Sequence, residues 1–230
     1  MNTIFEKYPS MKKTTPNLFI ALVLLAIPFA YAAYVYAGLP ATIPIHFNYK
    51  GEADGFGGKD SIFLGPSILG AVGLFTFFLL SNIKNFDPKR VNESDDGLFK
   101  KFALFIVAFL SALGLIITIS ASTPSLNVTK LLLPFIGFAF SVMGWYMPKI
   151  HQNYFAGFKL PWTLENVDNW NETHKVAGKV WMLGGLFQAI ATILLSPKIG
   201  FVCFMIAIGI MVIVPTLFSY QMFKRGNTIK

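Results

Sequence analysis

Six long apolar runs constrain this chain more than any other feature, because about 20 consecutive apolar residues are enough to cross a bilayer. The runs cover residues 18–39, 62–83, 102–122, 131–147, 180–196 and 200–222. A soluble core of this size would instead space its apolar residues at helical or strand periods. Only 13% of the residues are charged, against about 25% in soluble domains. The sequence therefore predicts an all-α membrane protein with about six transmembrane helices.

The chain 1–230 is interpreted as a single polytopic membrane domain. A basic start before the first run resembles a signal peptide, whose apolar region is typically about 7–15 residues long. The first run is longer than that, so a retained first helix is predicted. The one cysteine, Cys203, lies within an apolar run, which excludes a disulfide within the chain and a Cys-x-x-Cys motif.

The distribution of basic residues predicts the orientation. Of the 19 Lys and Arg residues, only Lys50, Lys59, Lys130 and Lys198 fall in loops on one side, and the rest fall on the other. Loops rich in Lys and Arg stay in the cytoplasm, so both termini are predicted to be cytoplasmic in a bacterial cell membrane. Because the basic residues are scattered next to the spans, they favour the lipid bilayer as a partner and argue against direct nucleic-acid binding.

The first outer loop, 38–61, carries the alternation of a strand. Ile43, Ile45, Phe47 and Tyr49 are separated by Pro44, His46 and Asn48, and several glycine pairs signal turns. A short extended, turn-rich segment is predicted. His46, Glu52 and Asp54 could approach a cation together, but their spacing matches no known metal loop. The favoured interpretation makes the two acids turn residues and His46 a cap at a helix end.

The inner loop, 149–179, is the longest polar interval and is nonetheless rich in Trp. Five residues recur at three- or four-residue steps and so lie on one helix face: Trp170, His174, Gly178, Trp181 and Gly185. Asn166 is the predicted N-cap of that helix. The face is either a binding surface or, as favoured here, interfacial Trp residues with glycines that admit a neighbouring helix. Ile150, Tyr154 and Phe158 predict a short helix along the membrane surface.

The common catalytic motifs are missing from the sequence. His46 is predicted outside and His151 and His174 inside, so the three histidines cannot share a metal. The chain contains no His-Glu-x-x-His and no Gly-x-Ser-x-Gly, and its spans hold almost no ionisable residue, unlike those of proton-coupled carriers. The sequence therefore predicts a protein that is not an enzyme and that needs no cofactor or metal.

Two long motifs resemble a known family. Residues 153–164, N-Y-F-A-G-F-K-L-P-W-T-L, and 170–185, W-x-x-T-H-K-x-A-G-K-x-W-x-x-G-G, are similar to the signature of the SdpI family of bacterial membrane proteins. The outer loop, L-P-x-x-I-P-x-H-F-N-x-x-G-E-x-D-G-x-G, resembles the small domain of unknown function that often precedes that signature. The inner matches are Asn153, Gly157, Lys159, Pro161, Trp162, Thr163, Trp170, Thr173, His174, Gly178 and Trp181. The outer matches are Pro40, Pro44, His46, Asn48, Gly51, Glu52, Asp54 and Gly55. Lys159 stands where Arg is expected, and Lys does not replace a bidentate Arg contact.

The resemblance implies a function. The family is named after an immunity protein that protects a bacterium from its own secreted killing peptide and holds a transcriptional repressor at the membrane. It implies a toxin-resistance and signal-transduction protein of the plasma membrane, with a membrane-active peptide toxin as the outer partner and a transcriptional regulator as the inner one. The candidate outer contacts are His46, Phe47, Asn48, Gly51, Glu52, Asp54 and Phe56.

The residues themselves leave other functions open. Pro28, Pro66, Pro134 and Pro215 interrupt the spans, and such breaks free backbone groups that line cavities in transporters. A transporter of a small solute or amphiphilic peptide is therefore the alternative, and a lipid-modifying enzyme is a minor third one.

Overall fold

The computed structural model describes residues 15–87, 93–123 and 125–228, and the side chains of 17–87, 97–123 and 125–225. Within them, six helices are long and apolar enough to cross a membrane, which confirms the predicted fold class. They are α1 (Thr15–Tyr36), α2 (Leu64–Ser81), α4 (Glu93–Ser122), α5 (Val128–Tyr146), α7 (Val167–Leu194) and α8 (Pro197–Thr228). Six of the residues used for the predicted orientation lie outside the described parts: Lys7, Lys12, Lys13, Lys89, Arg90 and Lys230.

Short elements lie at the two ends of the helices. Strands β1 (Thr42–Phe47) and β2 (Ala53–Gly58) pair antiparallel, which confirms the extended outer loop, and a 3-10 turn (Lys59–Phe63) leads into α2. We call this the hairpin end. Helix α3 (Ile83–Phe86), a 3-10 turn (Met147–Lys149) and α6 (Pro161–Glu165) lie at the opposite end, which we call the motif end.

The helices pack as two groups of three. Helices α1, α2 and α4 form the first triplet, and α5, α7 and α8 form the second. The triplets meet along a narrower seam between α4 and α5, where the ring of Phe109 stacks on that of Phe135 at 5.1 Å. At the motif end, Ile150 and Trp170 join the core of the first triplet beside Phe99. The loop that carries the inner motif therefore rests on both triplets.

Four glycines bring α5 and α7 into backbone contact. A Cβ added at Gly185 would lie 2.5 Å from the carbonyl oxygen of Gly137 and from the amide nitrogen of Ser141. A Cβ at Gly178 would lie 2.8 Å from the carbonyl oxygen of Gly144. Small residues at such positions allow helices to approach closely in a membrane. This is the close approach that the glycine spacing predicts.

In the first triplet, a proline frees a carbonyl that another helix uses. Pro28 within α1 has no N–H to donate to the oxygen of Leu24, four residues earlier. The hydroxyl of Ser111 on α4 donates to that oxygen at 2.5 Å. The carbonyl that Pro28 leaves free therefore joins α1 to α4 through a hydrogen bond.

The inner loop differs from its prediction. The short helix predicted from Ile150, Tyr154 and Phe158 is wrong, since residues 150–160 form bends and irregular backbone. A single short helix follows instead at Pro161–Glu165. The periodicity of three apolar residues was outweighed by Asn153, whose side chain captures the local backbone groups as described below.

Candidate functional site

The predicted residues of the inner motif converge around the first turns of α7. Asn166 caps this helix by accepting the N–H of Asn169 at 2.9 Å, as predicted. Trp170, Thr173 and His174 follow, and all three side chains are buried. They lie under the loop 150–160, so the loop and the start of α7 form one unit.

Asn153 folds the first part of this loop. Its side chain is fully buried, and its Oδ1 accepts the backbone N–H of Phe155 and of Ala156, each at 2.8 Å. Its Nδ2 donates to the carbonyls of His151 and Ala156 at 2.8 and 3.2 Å. Local side-chain bonds of this kind replace the backbone bonds of a helix, which explains why none forms here.

Thr163 closes the second part of the loop. Its buried hydroxyl accepts the N–H of Leu160 at 2.9 Å and donates to the carbonyl of Phe158 at 2.6 Å. Pro161 occupies the first turn of α6, where its missing N–H has no intrahelical partner to lose. The loop is thus fixed at both ends by side chains of the predicted motif.

His174 connects the loop to α7. Its Nδ1 lies 2.7 Å from the carbonyl oxygen of Trp170, and the N–H of Phe158 donates to its Nε2 at 3.0 Å. A carbonyl only accepts and an amide N–H only donates, so the ring is neutral with its proton on Nδ1. The Trp170 ring stacks on the imidazole at 4.0 Å, and its Nε1 donates to the carbonyl of Ile150 at 2.8 Å.

Gly157 makes this connection possible. Its φ of +114° lies in the left-handed region that side chains rarely adopt. A Cβ at this position would also coincide with the Nε2 of His174. Only glycine therefore allows the next residue, Phe158, to bring its N–H to the imidazole.

A second buried network, which the sequence analysis missed, joins α6, α7 and α8. The hydroxyl of Ser219 accepts the indole N–H of Trp162 at 2.7 Å and donates to the Oδ1 of Asn169 at 2.6 Å. Asn169 donates in turn to the carbonyl of Ser219 at 3.0 Å and accepts from Thr173 at 3.0 Å. The signal in the sequence was the helical step from Asn169 to Thr173, which places both on one face.

Trp181 donates a hydrogen bond to a carbonyl that a second proline, Pro215, leaves without its helical donor. Pro215 within α8 cannot donate to the carbonyl oxygen of Met211, and the indole N–H of Trp181 donates to that oxygen at 2.8 Å. One turn before Trp181, Gly178 contacts α5 directly. This face of α7 therefore binds its neighbouring helices.

Two interpretations of the motif need correction: that Trp170 and His174 form a binding surface, and that Trp170 belongs to an interfacial belt. Trp170 and His174 are 0% and 1% exposed, so they form no binding surface on the folded chain, and Trp170 lies inside the protein rather than in an interfacial belt. Lys159 is exposed, and its ammonium makes one hydrogen bond within the loop, to the carbonyl of Phe155 at 3.3 Å. The exposed residues beside the motif include the polar Glu165, Asn166 and Asp168, which we call the polar rim.

At the other end, the hairpin is organised by Asn48. Its Oδ1 accepts the N–H of Lys50 at 2.9 Å and of Glu52 at 3.2 Å, and its Nδ2 donates to the Glu52 carboxylate at 3.0 Å. Gly51 completes the turn with a φ of +82°. Asn127, a residue missed from sequence, caps α5 and donates to the carbonyl of Lys50 at 2.9 Å. The hairpin is thereby tied to the second triplet.

The exposed side chains of the hairpin include charged and aromatic groups. His46 is not a helix cap, because it lies on β1, where its Nδ1 is 2.5 Å from the Asp54 carboxylate. Phe47, Glu52 and Phe56 border a cavity of about 460 Å³ between the hairpin and the end of α4. Among the described residues, no group of three His, Cys, Asp or Glu side chains could hold a metal ion.

Comparisons with known proteins agree with both motifs. The SdpI/YfhL protein family matches residues 149–219, and a domain of unknown function, DUF1648, matches residues 23–70. The immunity protein SdpI of Bacillus subtilis (strain 168) is 23% identical over 211 residues, which are 90% of this chain and 96% of that protein. No solved structure matches the chain significantly. The predicted resemblance to the SdpI family is confirmed.

Proposed function

We propose that this SdpI-like membrane protein protects a bacterial cell against a membrane-active peptide that it meets at the hairpin end. The observation that carries the proposal is the similarity to an immunity protein along 90% of the chain. That similarity spans the inner unit, the hairpin and the helices between them.

The hairpin offers the contact for the peptide. Phe56 is 59% exposed and borders the 460 Å³ cavity together with Phe47 and Glu52. Exposed charge pairs contribute only about 0–1 kcal/mol each, whereas burial of an aromatic side chain contributes about 1.5–3 kcal/mol. Affinity for an amphiphilic peptide therefore comes mainly from the two phenylalanines, and Glu52 and Asp54 attract its positive charges.

The motif end offers the surface for a cytoplasmic regulator. Its rim is polar and exposed at Glu165, Asn166 and Asp168, where α6 ends and α7 begins. We place this end in the cytoplasm because of the lysine bias. Cysteine probes at Ala53 or Ser125 should react with an impermeant reagent added to intact cells, and a probe at Asn166 should not. Reaction at Asn166 alone would reverse the assignment.

The test of the proposal is survival of a sensitive host that expresses the chain, challenged with a panel of membrane-active peptides. Two double variants at matched membrane levels separate the contacts: Phe47→Ala with Phe56→Ala, and Glu52→Gln with Asp54→Asn. We expect the wild type to protect against at least one peptide and the aromatic pair to lose more protection than the acidic pair. No protection by the wild type against any peptide would refute immunity, and greater loss in the acidic pair would refute the aromatic contact.

Transport has less support. The transporter alternative depends on backbone groups that prolines within the spans leave without a helical partner. Two such groups, the carbonyls of Leu24 and Met211, accept hydrogen bonds from Ser111 and Trp181. These two groups are therefore already engaged and do not line an open path. A peptide- or solute-dependent uptake by vesicles that contain the purified chain would restore the transporter as the better candidate.

A further inference from the structure

A cavity of about 290 Å³ lies between the two helix triplets at the motif end. Leu79 of α2, Ile106 of α4 and Met143 of α5 line its walls, and residues 155–157 of the inner loop form its floor. Thr76 is the one side chain with a hydroxyl, amide or charged group among the described lining residues. The cavity therefore fits an apolar group and offers little to a hydrated solute.

The cavity lies beside a groove on the lipid-facing surface of the spans. All three wall helices are candidate membrane spans. Leu79 lines both this cavity and a neighbouring groove, where the lipid-facing side chains of Phe75 and Phe78 lie beside Asn82. Leu79 therefore separates the cavity from a groove on the outer surface of the helices.

An exposed lysine is adjacent in sequence to residues that line the cavity. Lys149 lies between Met147 and Ile150, which both line the cavity, and its ammonium sits 2.9 Å above the centre of the Trp145 ring. Lysine and tryptophan side chains are typical of the headgroup region. The nearby carboxylate of Asp87 is buried and accepts the N–H of Tyr154 at 3.2 Å, so it faces the loop.

We propose that this cavity is a lipid site that holds one acyl chain of an anionic phospholipid from the surrounding bilayer, with the phosphate near Lys149. The apolar walls receive the chain, and the ammonium selects the negative headgroup. Because Phe155, Ala156 and Gly157 form the floor, the bound chain packs against the loop one residue before the Phe158–His174 hydrogen bond. The site thus links lipid composition to the order of the inner loop, independently of immunity.

The test uses the full chain in nanodiscs of phosphatidylcholine and phosphatidylglycerol at 7:3, followed by detergent extraction and measurement of the retained lipid. Ile106→Trp fills the cavity. Leu217→Trp is the matched control, because Leu217 is an exposed apolar residue on the span α8 and does not line the cavity. Lys149→Gln keeps the cavity but removes the charge. Protease cleavage within 150–160 is measured in each variant.

We expect about one phosphatidylglycerol per wild-type chain, a severalfold loss in Ile106→Trp and no change in Leu217→Trp. Lys149→Gln should keep a bound lipid but lose the preference for phosphatidylglycerol, which supports the proposal even if Ile106→Trp misfolds. Removal of lipid should speed cleavage of the wild-type loop. Equal retention in wild type and both Trp variants overturns the proposal. Binding of an added hydrophobic peptide, with no retained lipid in the wild type, overturns it in favour of a peptide site.

Discussion

The hairpin and the inner loop share one local arrangement of an asparagine and a glycine but differ in how far their side chains are buried. In each, an asparagine side chain accepts two backbone N–H groups and a glycine with positive φ follows: Asn48 and Gly51 at one end, Asn153 and Gly157 at the other. Asn153 is fully buried, and its loop covers His174. The hairpin instead directs its charged and aromatic side chains to the outside.

This difference shows that similarity of sequence to a family does not assign the same role to every matching residue. The buried matching residues of the inner motif, among them Asn153, Thr163 and His174, hold the loop and α7 together, so their substitution acts first on folding. In the hairpin, the matching side chains of His46, Glu52 and Asp54 are exposed, so under the proposed function their substitution acts first on contact with a partner. Substitutions paired across the two regions test this distinction.

The largest difference is expected between two glycines. Gly185→Ala should destabilise the chain by about 1–3 kcal/mol or more, the range for overpacking, because the new Cβ meets the backbones of Gly137 and Ser141. Gly58→Ala in the hairpin should leave stability unchanged, since its added Cβ meets nothing within 4 Å. Thermal unfolding in detergent measures both variants.

Gly209→Ala, also in open space, is the control for a glycine substitution within a helix. If Gly185→Ala unfolds at the same temperature as the two controls, the backbone contact between α5 and α7 is wrong.

The second pair compares two histidines. His174→Ala removes the acceptor of the Phe158 N–H and the ring that stacks on Trp170. An unsatisfied buried donor costs about 1–3 kcal/mol, and a lost aromatic pair about 0.5–1.5 kcal/mol. His46→Ala should change stability by about 0.5 kcal/mol at most, as at other surface sites. Unfolding temperature and protease cleavage within 150–160 are the readouts, and equal cleavage in both variants contradicts the buried connection.

Much of this fold could be predicted from the sequence, because a bilayer restricts which structures can span it. A bilayer requires long apolar helices, so the spans were visible, and the alternation from Ile43 to Tyr49 was enough to find a strand. The glycine steps on α7 likewise predicted close packing. These features depend on local pattern, which a single sequence contains.

The parts that could not be predicted depend on contacts between distant residues. Ser219 is one polar residue in an apolar run, and nothing nearby in the sequence says that Trp162 and Asn169 will meet it. The short helix predicted around Tyr154 failed because one buried asparagine outweighed three apolar residues. Whether Trp170 is a surface or a core residue could not be decided before the loop was placed over it.

The third prediction tests the network that the sequence did not reveal. Ser219→Ala removes the partner of the Trp162 indole and one acceptor bond of Asn169, and should destabilise the chain by about 1–2 kcal/mol. Thr216→Ala, one turn earlier on α8, removes only an exposed bond to its own helix, with Val212, and should change stability by less than about 0.5 kcal/mol. Comparable unfolding temperatures for the two variants would falsify the role of this network.

The smallest effect on stability, and the sharpest test of the comparison, is expected from Phe56→Ala. Its side chain is more than half exposed at the cavity of the hairpin, so the free energy of unfolding should change by about 0.5 kcal/mol at most. Protection of a sensitive host should nevertheless fall, because in the proposed function this side chain contributes apolar contact to the peptide. His174→Ala should show the reverse order, with lower stability and a loss of protection that follows the lower amount of folded protein. When protection is divided by the amount of folded chain, only Phe56→Ala should remain impaired. If His174→Ala is the more impaired variant after that correction, the inner loop takes part in immunity directly, and the division of roles between the two regions is wrong.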